Sequence, residues 1–473
     1  MKDKKTTLKK ILLLLLLLAI ETKAQTTIFN ADFSNGTGNN AFTATVTSTW
    51  ARGSNGIYPA SGSGDYLYLI PAGDSKYPSN SNTSAITPTI NLTGYERLSL
   101  SFRFYANIEP TYDGLRILFS TDNGATYLPL GKENDQATNW YNNTNIQAYG
   151  ASANIRGWSG NFTAGNWITA SIDLPSQGFD NKTNIKFRIE FRSDNTLNYT
   201  GVAIDDFKII GYPVTAKTYP SYSAFNKLEV WYKPQSLSAL ANNAPIDSWP
   251  NATGINTSWT NATGTSTTRP LYKNNTTSNV NFNPVVNFDG TKSMFTRQGF
   301  YNHDIFIVVN PGTPVSSAYA AQDVLMGDDF IEIAGSQDVT GLSINNTSAR
   351  YGAGVANIAA YNQGALTNYG IAITSSTITY DRPVIFNARL NAAGTGMNLY
   401  LDGVDLGVTL SPTLMKEVNA GTFKQILNSR FWIGRSEFFG PSFNGDVLEI
   451  MMFSERKTDS DRKKIESYLS IKY

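Results

Sequence analysis

Leu98, Leu100, Phe102 and Phe104 alternate with Ser99, Ser101, Arg103 and Tyr105. An extended chain turns successive side chains to opposite faces, so this stretch buries one apolar face only as a β-strand. On a helix the same residues would spread around the whole cylinder. Leu115–Ser120, Trp167–Leu174, Ile185–Phe191 and Val202–Ile210 read the same way. Turn residues divide them, at Gly94, Asp113-Gly114 and Asp122-Asn123-Gly124. No helical period of useful length interrupts residues 26–212, so an antiparallel sandwich of short strands is the economical architecture.

Lys2, Lys4, Lys5, Lys9 and Lys10 precede the apolar run Ile11–Ile20, and Thr22-Lys23-Ala24 leads into Gln25. This is the order of a secretory signal peptide over residues 1–24, with cleavage expected after Ala24 and a secreted or outer-cell-surface product. The run is half the roughly 20 residues that a bilayer core requires. Six lysines against Asp3 and Glu21 give residues 1–24 a net charge of +4, so the formal +1 of the chain becomes about −3 without them. A near-neutral exported chain implies no nucleic-acid partner and no membrane insertion after signal removal. Cysteine is absent, which removes disulfides, thiolate zinc sites, cysteine nucleophiles and a lipoprotein anchor. With 473 residues, 41% of them hydrophobic, the chain can fill two to three cores.

In the first half, Phe119-Ser120-Thr121-Asp122-Asn123-Gly124-Ala125-Thr126-Tyr127 reads as a hairpin and Gly201-Val-Ala-Ile-Asp205-Asp206-Phe-Lys-Ile209 as a closing strand. With Asp32-Phe33 near the start and Trp158 and Trp167 between, residues 25–212 resemble the MAM-like jelly-roll modules of bacterial surface proteins. The hairpin also matches a sialidase Asp-box, with Tyr127 where Trp is usual. Propeller sialidases repeat that box at blade spacing, and this chain has it once. A single box is a turn, in which Asp122 accepts backbone N–H bonds and Gly124 takes the positive φ. Asp205 or Asp206, with Asp32 from the neighbouring terminal strand and backbone carbonyls, would offer hard oxygen ligands for a structural Ca²⁺. Adjacent strand residues point to opposite faces, so both aspartates could serve only across a bulge. The bland alternative is a solvated edge guarded by charge.

Residues 213–224 form a Pro/Thr linker, and Leu228-Glu-Val-Trp231-Tyr-Lys-Pro234 opens a second domain over 225–473. Ile305–Val309, Asp329–Ile333, Gly341–Ile344, Pro383–Leu390 and Met397–Leu401 read as its strands, with a turn at Asp402-Gly403. Val447–Phe453 is apolar on both faces apart from Glu449, as a buried strand would be. Thr458 then caps a helix, with Asp461 in capping-box position and Ile465, Tyr468 and Leu469 as one docking stripe. A closing strand followed by a docked helix resembles the end of concanavalin A-like (laminin-G-like) jelly-roll domains in secreted and surface proteins of Bacteroidota. Leu228–Pro234, Arg269-Pro270-Leu-Tyr272 and Pro284–Gly290 follow the same family pattern. Inside it Ser248–Gly254 is echoed ten residues on at Ser258–Gly264, and Asn251 stands where the family writes an aspartate. Any ligand or metal role of that carboxylate is therefore lost here. The expected fold is all-β: two antiparallel β-sandwich (jelly-roll) domains, the second closed by a short C-terminal helix.

Retaining glycosidases of concanavalin A-like fold need two carboxylates about 5–5.5 Å apart on one strand face. Asp446 and Glu449 differ by three and so are expected on opposite faces, and the adjacent Asp328 and Asp329 diverge. The single histidine, His303, lies beside Asp304 without a G-x-S-x-G elbow. No catalytic residue is therefore assigned. The resemblance names a scaffold and no ligand. The lack of a same-face carboxylate pair, the single histidine and the absent thiols, set against loops rich in Trp, Tyr and Asn, lead to the expectation of a non-catalytic binding or adhesion protein that recognises glycans or other surface partners. The alternatives are a structural protein-interaction module of a surface assembly and a glycosidase-related enzyme. Aromatic platforms beside Asn and Asp suit sugars, which makes Trp249, Trp259, Trp158 and Tyr301 the ligand-binding candidates. Tryptophans clustered towards solvent would favour glycan binding, and buried ones a structural role.

Overall fold

The computed structural model describes residues 25–473 except 35–41, 45–48, 63, 132–136, 151–154, 175–178, 215, 256, 298–302, 314–321, 329–338, 347–356, 365–367, 374–381, 391, 393–396, 407–408, 411–429 and 436–442. The signal-peptide segment 1–24, the strand expected at Asp329–Ile333 and Tyr301 lie outside the described residues.

Two antiparallel sheets form the first sandwich. One runs Trp50–Gly53, Tyr66–Leu69, Gly201–Pro213, Tyr95–Asn107 and Ile168–Leu174, with Thr26–Ala31 also paired to Gly201–Pro213. The other runs Thr43–Ala44, Asn82–Ile86, Lys186–Arg192, Gly114–Ser120 and Leu128–Pro129. Alternation does the sorting: Leu98, Leu100, Phe102 and Phe104 are buried, whereas Ser99, Ser101 and Arg103 stay half-buried on the other side. They share one core with Ile117, Phe187, Ile189, Ile204 and Phe207. Each such side chain contributes about 1.5–3 kcal/mol on burial.

Among the described residues, the second sandwich pairs a sheet of eight strands with one of nine, again antiparallel. Asn444–Phe453 runs through the eight-stranded sheet, hydrogen-bonded to Val285–Asp289, Asp304–Pro311 and Leu228–Tyr232. Val447, Ile450 and Met452 face the other sheet, while Leu448, Met451 and Phe453 meet Ile465 and Leu469 of the helix Asp459–Lys472. Thr458 caps that helix, its hydroxyl accepting from the Asp461 N–H at 3.0 Å.

A register shift in this strand overturns one expectation. Val308 pairs with Glu449 and Val309 with Val447, so Leu448 is an extra residue. The bulge turns Glu449 to the helix side. Asp446 lies there too, because its cross-strand partner Asn287 sits between the inward-facing Val286 and Phe288. Asp446 and Glu449 therefore share a face, contrary to simple alternation. Glu449 is 1% exposed and accepts from Trp231 Nε1 at 2.6 Å, Tyr473 OH at 2.8 Å and Tyr468 OH at 3.0 Å, with Lys472 Nζ paired to it as well. It fastens the helix and is closed to a substrate.

The echoed segments pack on each other, Ser248–Trp249 pairing with Ala262–Thr263, and the Asn251 N–H donates to Asn261 Oδ1 at 2.8 Å. The connecting segment is bonded at both ends. Val214 N–H donates to Gly94 O at 2.7 Å in the first sandwich. Lys217 Nζ and Tyr219 OH reach Glu229 of the second at 2.7 and 2.8 Å. Among the described residues no helix is long and apolar enough to cross a membrane.

Candidate functional site

At one end of the first sandwich, four chain segments enclose an open cleft of about 670 Å³, lined among others by Ile57, Lys76, Asn107, Leu197, Asn198 and Tyr199. One wall is the tight turn between Ala72 and Lys76, closed by Ala72 N–H donating to Lys76 O at 2.8 Å. Its tip residues Asp74 and Ser75 are both left-handed, with φ of 61° and 60°. Neither has glycine's freedom, so this tip costs about 1–2 kcal/mol per residue. The opposite wall is the loop from Asp194 to Thr200, which enters the strand Gly201–Pro213. A side chain at Gly201 would meet Tyr58 OH at 2.9 Å with φ at +109°, so only glycine lets the loop pass there.

Tyr77, 1% exposed, ties the walls together. Its N–H donates to Tyr199 O at 3.0 Å, its hydroxyl donates to Asp113 Oδ2 at 2.6 Å, and that hydroxyl accepts from the Glu109 N–H at 3.0 Å. Asp113 Oδ1 in turn accepts from Asp194 N–H at 2.7 Å, which anchors the loop. Asp194 closes a local turn, accepting from Thr196 N–H at 2.8 Å. The polar groups on the cleft side are then fixed. Asn107 Nδ2 donates to Thr200 Oγ1 at 3.3 Å. Asn198 Nδ2 donates to Ser79 Oγ at 2.8 Å, leaving its buried Oδ1 without a donor.

Beneath the loop, oxygens of Glu109, Asp113 and Asp194 all lie within 4.8 Å of one another. Among the described residues none of the three has an ion-pair partner. Burial pushes the Asp113 carboxyl up to about 6, against the pull of the bonds from Tyr77 and Asp194. This donor set is of the kind a hard cation such as Ca²⁺ takes.

The carboxylates expected to hold calcium are arranged differently. The bulge that Asp205 and Asp206 would need is present, since the register against Tyr95–Asn107 shifts between Asp205 and Lys208 and Asp206 has φ of 51°. Asp205 is fully buried and accepts from the Asp206 N–H at 2.7 Å; Asp206 lies 3.9 Å from Arg103. Asp32 accepts from the Ser34 N–H at 3.1 Å. Among the described residues, a group of three converging carboxylates occurs at Glu109, Asp113 and Asp194, not at Asp32, Asp205 and Asp206.

The tryptophan candidates need a correction. Trp158 and Trp249 are 0% exposed and Trp259 is 5% exposed. Trp158 sits among Phe102, Phe104, Trp140 and Tyr141, and donates to Asn139 O at 3.0 Å. Trp249 packs on Tyr232 and donates to Lys233 O at 3.2 Å. Arg297 covers Trp259, 4.3 Å from its ring centre. A stacking platform needs an open ring face, and these three have none. Asn107, Asn198, Tyr199 and Tyr77 were not singled out by the sequence, because nothing local distinguishes them before the loops converge. His303 is half-buried at the head of its strand, and burial holds its imidazole below the usual range. The Asp-box is a turn: Asp122 accepts from Thr126 N–H at 2.9 Å and Gly124 has φ of 92°.

No protein-family model matches the chain. No curated protein matches it either. Among solved structures it is similar to domain 4 of AbnA, a GH43 extracellular arabinanase from Geobacillus stearothermophilus, solved with arabinotriose, at 13% identity and TM-score 0.35, covering 51% of this chain and 98% of that one. A CBM40 of the Ruminococcus gnavus IT-sialidase, bound to α2,3 sialyllactose, matches at 13% identity and TM-score 0.26, over 36% of this chain and 84% of its own. The K3 cleaved adhesin domain of Lys-gingipain from Porphyromonas gingivalis matches at 16% identity and TM-score 0.24, over 40% and 99%. Likenesses of this size leave the function to the geometry of this chain.

Proposed function

We propose that this protein is a secreted or cell-surface, non-catalytic binding and adhesion protein that recognises glycans through the cleft of its first sandwich. The observation that carries the reading is the open cleft of about 670 Å³ between the Ala72–Lys76 turn and the Asp194–Thr200 loop, whose walls Tyr77 holds together. Asn107, Lys76 and Thr200 add polar groups, and Tyr199, Ile57 and Leu197 add apolar surface, the mixture that a sugar ring presents in return. The cleft is open and shallow, so affinity in the micromolar to millimolar range is expected, about −4 to −8 kcal/mol. The non-catalytic part rests on the carboxylates. Asp113 reaches no solvent, and Glu449 is engaged by the C-terminal helix. Export rests on the pattern of residues 1–24, and sequencing the N-terminus of the secreted protein tests it.

The experiment is a glycan array on the exported chain, with Ca²⁺ and with chelator, followed by a reducing-sugar assay on every hit. Asn198→Ala and Tyr199→Ala should weaken a hit about tenfold each. Sugar release would establish an enzyme instead. A second reading, a structural interaction module of a surface assembly, is favoured by the burial of Trp158, Trp249 and Trp259. A blank array under both conditions decides for it.

A further inference from the structure

We infer that the second sandwich closes itself covalently, through an amide bond between the side chains of Lys472 and Gln235, formed with Glu449 as the proton carrier. Gln235 stands in the short turn Pro234–Leu237, just after the strand Leu228–Tyr232, and Lys472 ends the helix Asp459–Lys472. Lys472 Nζ lies 3.3 Å from Gln235 Oε1. The carbonyl carbon is one bond of about 1.2 Å from that oxygen, so a small turn of the lysine stem gives the approach of about 3–3.5 Å that an attack needs. Gln235 Nε2 donates to Asn283 Oδ1 at 2.9 Å, which fixes the amide with its carbonyl towards the lysine. Asn283 Nδ2 donates in turn to Lys472 O at 2.8 Å, so one residue positions both partners.

The carboxylate needed for proton transfer is in place and shut off from water. Glu449, whose side chain is 0% exposed, is ion-paired with Lys472 Nζ, and the Lys472 side chain is 17% exposed. That ammonium lies 4.9 Å from the centre of the Tyr473 ring and 5.5 Å from that of Tyr468. Lys233 adds a second ammonium, 3.9 Å from the centre of the Trp231 ring, and burial and then the Lys472 charge hold its pKa below the usual range. Two cations thus share one carboxylate, which favours release of a proton. The Lys472 ammonium gives a proton to Glu449, and the free amine attacks Gln235 Cδ. The Nζ–Cδ bond forms and the Cδ–Nε2 bond breaks. Nε2 takes the proton held by Glu449 and one more from Nζ, and leaves as ammonium. Nothing is oxidised or reduced, and no outside substrate enters. Lys472 and Gln235 are 237 positions apart, so the bond encloses almost the whole second sandwich. In a chain without cysteine it restricts the unfolded state as a disulfide would.

Trypsin digestion of the folded exported chain after denaturation, read by mass spectrometry, tests the bond. Lys472 should resist cleavage, and Ile465–Tyr473 should appear joined to the peptide that carries Gln235, lighter than the two together by one ammonia. The branched peptide is the readout rather than the mass of the whole chain, because cyclisation of an amino-terminal Gln25 also releases ammonia. Lys472→Arg keeps a cation for Glu449, and Gln235→Ala keeps the lysine. Both variants should fold, by circular dichroism, give no branched peptide and migrate more slowly than the parent in a denaturing gel. A parent digest in which Lys472 is cut and the Gln235 peptide is unmodified overturns the inference, as does a branched peptide that persists in Lys472→Arg. The parent digest decides even where a variant folds poorly, and no result depends on whether a glycan binds.

Discussion

Arg297 of the second sandwich grips Asp173 of the first through two hydrogen bonds, Nε to Oδ2 at 2.7 Å and Nη2 to Oδ1 at 2.8 Å. The same guanidinium stacks 4.3 Å from the centre of the Trp259 ring, which limits the entropy lost in holding it. Asp173 is 14% exposed and Arg297 46%, so water and salt screen the pair in part. A double-mutant cycle with Asp173→Ala and Arg297→Ala should return a coupling of about 1 kcal/mol, falling at high salt. Small-angle scattering of either variant should show a broader distribution of inter-sandwich distances.

Asn251→Asp should damage the second sandwich although it restores the residue its family resemblance suggests. Asn251 is 2% exposed, and its Nδ2 faces Glu229 O at 2.9 Å, Thr260 Oγ1 at 2.9 Å and Ile255 O at 3.3 Å. A carboxylate would put its lone pairs against two carbonyls. The expected loss is about 2–4 kcal/mol, read as a lowered midpoint of the second unfolding transition in calorimetry.

The helix Asp459–Lys472 is predicted to be part of the second sandwich. Leu469→Ala should cost about 2–5 kcal/mol through the cavity it leaves. Glu449→Ala strands Trp231 Nε1, Tyr468 OH, Tyr473 OH and Lys472 Nζ, and should cost about 3–5 kcal/mol. Both changes should move the second transition and leave the first where it is.

Acid should stabilise the first sandwich in chelator. Burial raises Asp113 to about 6, and burial followed by the nearby Glu96 raises Asp180 to about 7, both above the usual 3.8. A folded state that holds these protons more tightly than the unfolded chain gains stability fully below about pH 4 and loses it as pH rises through 6 to 7. The first melting midpoint should therefore fall over that window. Asp113→Asn should remove its share of the slope, and added Ca²⁺ should raise the midpoint at pH 7 in the parent more than in the variant.

Much of the architecture could be read from spacing, because the responsible forces act between neighbours in sequence. Leu98–Phe104 announces its strand, and Thr458 with Asp461, Ile465 and Leu469 announces a capped, docked helix. The face on which Glu449 lies was misread, since Leu448 becomes an extra residue only when Asp304–Pro311 pairs beside it. The tryptophans were misjudged for a related reason. Apolar mass shows in a sequence, but whether an aromatic ring is covered depends on what packs over it, as Phe102 and Tyr141 do on Trp158.

The sequence by itself determined the all-β class, the closing helix and the exclusion of thiol chemistry, for these follow from side-chain period and residue type along the local chain. Only the tertiary structure decided where the chemistry gathers. Tyr77 meets Asp113 across 36 residues and Asp113 meets Asp194 across 81. Such contacts exist only after sheet pairing has overcome the entropy of closing long loops, and no local pattern records which loops will meet.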